Sequence, residues 1–370
     1  MQQSQPPWRN SRQKALSRRA ALGAGVALVA GLGGVAWALD SNDKLPGTSP
    51  TPTPAPTSTP PPPTATTIPT PTPTATRAPA SPVSSPAASP AAIAAADLLV
   101  EAKLSDLRAA IDNGSVTIVE LVQATLDRVT AMDGNDTDTV LHAVIETNPD
   151  ALAIAKTLDE ELQAGESRGP LHGIPVMVKD VFASGDQMKT TAGALALAEN
   201  TVVEDSFLVA RLRDAGMVLM GKANMSEWSA FRSSGLGSGW SGRGGQASNP
   251  YVLDRSPWGS SAGSAIAVAS SYVPFALGAE TDGSILCPSS ACAVVGLKPT
   301  VGLTSRVGVI PISSSQDSPG AIARNVYDLA VFFSAIAGYD AEDSAYNEFS
   351  GSAPASEFST WPVPDVGSVD

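Results

Sequence analysis

Three kinds of hydrophobic pattern divide the chain. A nearly unbroken apolar run from Ala20 to Leu39 follows the cations Arg12, Lys14, Arg18 and Arg19. Residues 46–95 then alternate Thr, Pro, Ala and Ser with almost nothing to bury. From about Asp97 onward, apolar residues recur at helical spacing and in short strand-like runs, so only this third stretch can build a core.

Within it, Ser105 is placed to cap a helix through LSDLRAAIDNG that stops at Asn113-Gly114, and Thr117 with Glu120 forms a capping box for a helix over 118–132. LHAVIE, from Leu141, reads as a buried strand containing His142, and Pro149 opens a helix closed by Gly165. The apolar segment GIPVMVKDVF predicts a strand carrying Lys179, with His172 holding the loop ahead of it. A helix DSFLVARLRDAG then leads into a strand MVLMGKANMSEW. Ser264 is placed to cap a helix over 265–271, and a last helix covers 325–337. This alternation predicts an α/β domain with a mixed central β-sheet flanked by helices.

The first two patterns change the picture of location. Residues 1–39 read as an export signal with Ala36-Trp37-Ala38 as its cleavage site, and the Arg18-Arg19 pair resembles a twin-arginine signal. Left uncut, the run is long enough for an N-terminal membrane anchor. Residues 40–96 read as a disordered Pro/Thr-rich linker, since proline blocks helix and sheet pairing and no apolar surface offsets the entropy of ordering. The folded domain is then 97–370, exported or held at the cell envelope. A formal net charge of −13 argues against a nucleic-acid partner.

Chemistry concentrates between Arg255 and Thr300, where two serine-bearing glycine turns enclose one apolar run. Gly259, Gly263 and Gly283 let main-chain N–H groups approach a ligand, and Ser260 and Ser284 offer hydroxyls there. Gly259-Ser260-Ser261-Ala262-Gly263 also fits a nucleophile elbow centred on Ser261, which would make an esterase. That reading needs a later histidine, whereas His142 and His172 both come earlier. The remaining base is Lys179, whose ammonium is costly to bury and so loses its proton readily.

GPLHGIPVMVKD, the GSSAGS turn, ETDGSILCPSS and GLKPTVGL together resemble the amidase signature family, over residues 96–338. GGQASNPYVLDRSP and PISSSQDSPG are most similar to its peptide amidase and aryl acylamidase branch. The resemblance implies a Ser-Ser-Lys triad with Ser284 as nucleophile, Ser260 as bridging serine on a cis peptide, and Lys179 as base. Thr281, Asp282 and Gly283, with Ser284, would supply the oxyanion hole. The implied reaction is hydrolysis of a small-molecule or peptide amide without metal or organic cofactor. Asn224, Ser226, Glu227 and Trp228 resemble a segment near the substrate cleft, and also read as a capped helix start.

Two departures bear on substrate. Leu286 stands where many relatives carry an arginine, which favours an apolar or peptidic acyl group over one bearing a carboxylate. Trp258 stands where the branch often has a small residue or cysteine, and by that resemblance its bulk is expected to narrow the site. Cys287 and Cys292 read as thiols, with a short disulfide as the other possibility. Relatives continue beyond residue 370, so the chain reads as one cut short at its C terminus, with a non-catalytic remnant or binding module as the competing function. An ammonia-supplying component of an amidotransferase fits less well with an export signal.

Overall fold

A computed structural model describes residues 94–133, 140–232, 235 and 237–345. The expected export signal, most of the expected linker and the polar tail from 346 lie outside the described residues.

Helix α1 (Ala95–Leu99) begins just before Asp97 and precedes α2 (Leu104–Asp112) and α3 (Ile118–Asp133). Ser105 does not cap α2; the helix starts one residue earlier, with Lys103 at the N-cap. The Asp106 carboxylate accepts the Lys103 N–H at 3.3 Å and the first-turn amide of Leu104 donates to the Asp328 carboxylate at 3.0 Å, so the helix start is held without Ser105. The capping box of α3 forms as its sequence predicts: Thr117 N–H donates to the Glu120 carboxylate at 2.8 Å, and Glu120 N–H to Thr117 Oγ1 at 3.1 Å.

Strand β1 (Val144–Thr147) is shorter than LHAVIE. His142 lies outside it with φ 52, where it cannot pair as a strand residue. Helix α4 (Ala151–Gln163) leads to Gly165 at φ +81. The buried strands β2 (Pro175–Lys179) and β3 (Val218–Ala223) flank helix α5 (Phe207–Asp214), which Ser206 caps. A two-residue hairpin follows, β4 (Trp240–Ser241) with β5 (Gly245–Gln246). Then come α6 (Ala262–Ala269), β6 (Phe275–Glu280), α7 (Leu286–Ala291), β7 (Val295–Leu297), β8 (Ser318–Ala323) and α8 (Val326–Ile336). Ser264 sits inside α6 rather than at its cap, because the helix springs directly from the glycine turn; its hydroxyl donates to the Leu277 carbonyl at 2.9 Å and pins α6 to β6.

The six-stranded sheet runs β1-β3-β2-β6-β8-β7, with β3, β2 and β6 parallel and the remaining pairs antiparallel. The parallel strands are almost entirely buried, which explains why their sequences read as continuous apolar runs rather than alternating ones. Phe275 of β6 stacks on Phe332 of α8 with ring centroids 4.9 Å apart, fixing one helical layer to the sheet. Among the described residues no helix is long and apolar enough to cross a membrane.

Candidate active site

Parallel strands place their C-terminal ends on one edge of the sheet, and side chains there meet across the strand order. Lys179 is the last residue of β2, paired in register with Ala223 of β3, and it is fully buried. Its Nζ donates to Ser260 Oγ at 2.6 Å and to the Ala279 carbonyl at 3.0 Å. Burial pushes the amine down from 10.5 to about 7, against the opposing pull of the negative charges on Asp317 and Glu280. A lysine in that state exchanges a proton near neutral pH.

Ser260 follows Gly259 across a cis peptide bond, and its carbonyl accepts the Ser226 N–H at 3.0 Å. The next residue, Ser261, donates its N–H to the Ser284 carbonyl at 3.0 Å, which joins the two serine turns through the main chain. Gly263 permits the close approach of α6: a Cβ there would lie 2.2 Å from the Ala143 oxygen and 2.4 Å from the Asn224 nitrogen.

Ser284 is 8% exposed at the end of the turn after β6. Gly283 holds φ +76, which bends that turn. Glu280, at the turn's start, accepts N–H bonds from Ile285 at 2.7 Å and Leu286 at 2.9 Å. Thr281 donates its hydroxyl to Asp317, whose other oxygen accepts the amides of Ile312 and Ser313. Among the described residues, the turn and loop hydrogen bonds include none donated by the amides of Thr281, Asp282, Gly283 or Ser284. Ser260 thus touches Lys179 directly, while Ser284 is tied to the same place by its backbone.

Other predicted residues take supporting places. The Asp180 carboxylate accepts bonds from Thr191 and Gly193, and the neighbouring Lys222, also buried, donates to the Phe182 carbonyl at 2.6 Å and to Thr190 Oγ1. Burial lowers the Lys222 amine to about 8, with Asp180 the foremost charge opposing that shift. Asn224 bonds the carbonyls of His142, Gly244 and Gly245, and Glu227 accepts the Gly242 N–H. His172 holds its loop through Nε2 to the Leu158 carbonyl at 2.9 Å. Ser261 has its hydroxyl buried against Ala279, which leaves it poorly placed to attack a substrate. Cys287 and Cys292 are both free thiols, and burial pushes Cys292 up to about 12. Trp258 is 57% exposed and Leu286 49%, so both side chains are largely open to solvent. Glu280, Asp317 and the backbone role of Ser226 are the parts sequence reasoning missed; their partners are fixed by strand order, which no spacing encodes. Among the described residues no group of three His, Cys, Asp or Glu side chains is arranged to hold a metal.

The model of the family named Amidase matches residues 120–360. This chain belongs to the amidase family. An Arabidopsis thaliana protein named "Probable amidase" is 48% identical over 247 residues, 66% of this chain and 47% of that protein. Among solved structures, the native peptide amidase of Stenotrophomonas maltophilia superposes with TM-score 0.66 at 51% identity, covering 69% of this chain and 51% of that one. An amidase family protein from Bacillus anthracis superposes with TM-score 0.67 at 37% identity over 70% and 51%. This amidase family member spans about half the length of the curated relatives it matches. Its mixed sheet flanked by helices is that of these amidase structures.

Proposed function

We propose that the protein hydrolyses a carboxamide to a carboxylic acid and ammonia, using Ser284 as nucleophile, Ser260 as proton bridge and Lys179 as base. The observation that carries this reading is the 2.6 Å contact between a fully buried amine and the Ser260 hydroxyl. Neutral Lys179 takes the Ser260 proton while Ser260 takes that of Ser284, whose oxygen bonds to the amide carbon. The carbonyl electrons move onto oxygen, which is received by the amides of residues 281–284. When the C–N bond breaks, the same relay returns the proton to nitrogen and ammonia leaves. Water then adds to the acyl-enzyme by the same route and releases the acid and Ser284.

The substrate class is a C-terminal peptide amide or an aryl amide, a reading supported by the peptide amidase at 51% identity. The leader sequence supports placing the enzyme outside the cytoplasmic membrane. The test is ammonia release from amidated peptides by the purified protein and by Ser284→Ala: turnover by the first and none by the second is expected, and equal release by both removes the proposal.

A further inference from the structure

A cavity of about 260 Å³ adjoins the nucleophile turn. Ala279, whose carbonyl accepts the Lys179 amine, lines it together with Glu280 and Thr281. Val181, Val307, Val309, Ile310, Pro311 and Ile312 supply its apolar lining. The volume lies at the small end of ligand sites, enough for one side-chain-sized group rather than several residues of peptide.

The charges around the cavity are unbalanced. Among the described residues, Glu280, Asp317, Glu342 and Asp343 face it, against one cation, Arg306. That guanidinium is committed: it pairs with Asp343 at 2.5 Å and donates to the Ser314 carbonyl. Glu280 and Asp317 are occupied in holding backbone amides, whereas Glu342 is an exposed lining residue. An entering carboxylate would leave water for an apolar wall and meet like charge, with the guanidinium already engaged. Leu286, exposed beside the nucleophile turn, offers no cation either.

We propose that this cavity takes the acyl side of the substrate and selects compact apolar groups that are neutral or cationic over those carrying a carboxylate. The proposal rests on the amidase reading above, because the cavity's link to the reaction is its shared turn with Ser284.

Three amides of matched length test it: heptanamide, 6-aminohexanamide and the monoamide of adipic acid. Ammonia release at low salt is expected to give kcat/KM for the first two about tenfold or more above the third, the gap narrowing as salt screens Glu342. Glu342→Lys, at an exposed residue lining the cavity, is expected to raise kcat/KM on the anionic amide several-fold relative to heptanamide. Equal rates on all three amides, or an unaltered ratio in Glu342→Lys, overturn the proposal. Binding of hexanamide, hexylammonium and hexanoate, followed by ligand-observed NMR, separates this failure from failure of the amidase reading. Binding of the first two without hexanoate upholds the cavity's selectivity even if no amide turns over, and equal binding or none overturns it.

Discussion

The Thr281 hydroxyl donates to Asp317 at 2.5 Å, joining the turn of the proposed oxyanion hole to the loop that walls the adjoining cavity. Because Asp317 also receives the amides of Ile312 and Ser313, replacing it frees two segments at once. Asp317→Asn is expected to lower kcat by about 10- to 100-fold with a smaller change in KM, since misaligned oxyanion donors cost most in the transition state. Steady-state kinetics on one amide checks this, and an undiminished kcat would mean the turn holds its shape unaided.

Glu280 restrains the other end of that turn through Ile285 and Leu286. Glu280→Gln keeps one acceptor oxygen and is expected to retain more activity than Glu280→Ala, whose buried amides lose their partner at about 1–3 kcal/mol. Melting temperatures of the two variants, measured beside their rates, show whether the order holds.

With the Lys179 amine at about 7, its neutral form grows as pH rises. Activity is therefore expected to climb through about pH 7 and then level. Asp317→Asn removes a charge that favours the protonated amine, so the rise should move to lower pH in that variant. Lys179→Arg remains protonated throughout and should show neither the rise nor turnover.

The same burial has a cost in stability. Between about pH 7 and 10.5 the unfolded chain holds a proton on Lys179 that the folded chain has released, so this group's contribution to stability rises with pH across that window. Lys179→Met should stabilise the fold at pH 7 by about 1–3 kcal/mol, the relieved burial being partly offset by two lost hydrogen bonds. The gain should shrink toward pH 10. Urea unfolding at the two pH values measures both, and a variant less stable than wild type at pH 7 would contradict the account.

Gly263→Ala drives a methyl group to 2.2 Å from the Ala143 oxygen, which is expected to cost about 2 kcal/mol or more because backbone on both sides must move. Gly165→Ala, with nothing within 4 Å of its added Cβ, should cost about 1 kcal/mol, from its positive φ alone. A comparison of their melting temperatures distinguishes crowding from backbone strain.

Strong local signals carried the fold into the sequence: the Thr117 and Glu120 capping box, the apolar runs of β2 and β3, and the Gly165 stop all appear where their chemistry puts them. Ser105 and Ser264 mislead because each helix begins earlier than its serine, and a distant carboxylate or a neighbouring strand supplies the partner. Lys179, Ser260 and Ser284 stood out as candidates because glycine turns and an interrupted apolar run mark them, and the family resemblance suggested their roles; the structure places the Lys179 amine against Ser260. Glu280 and Asp317 did not stand out, since a carboxylate that accepts backbone amides looks like any surface acid until strand order sets its neighbours.

Lys179 reaches the Ala279 carbonyl, 100 positions onward, only because β2 and β6 lie side by side. The two strands therefore have to be zipped before the amine and its hydroxyl can meet. Heat inactivation, followed alongside the loss of secondary structure, should accordingly show one transition rather than two, with catalysis disappearing as the central pairing opens.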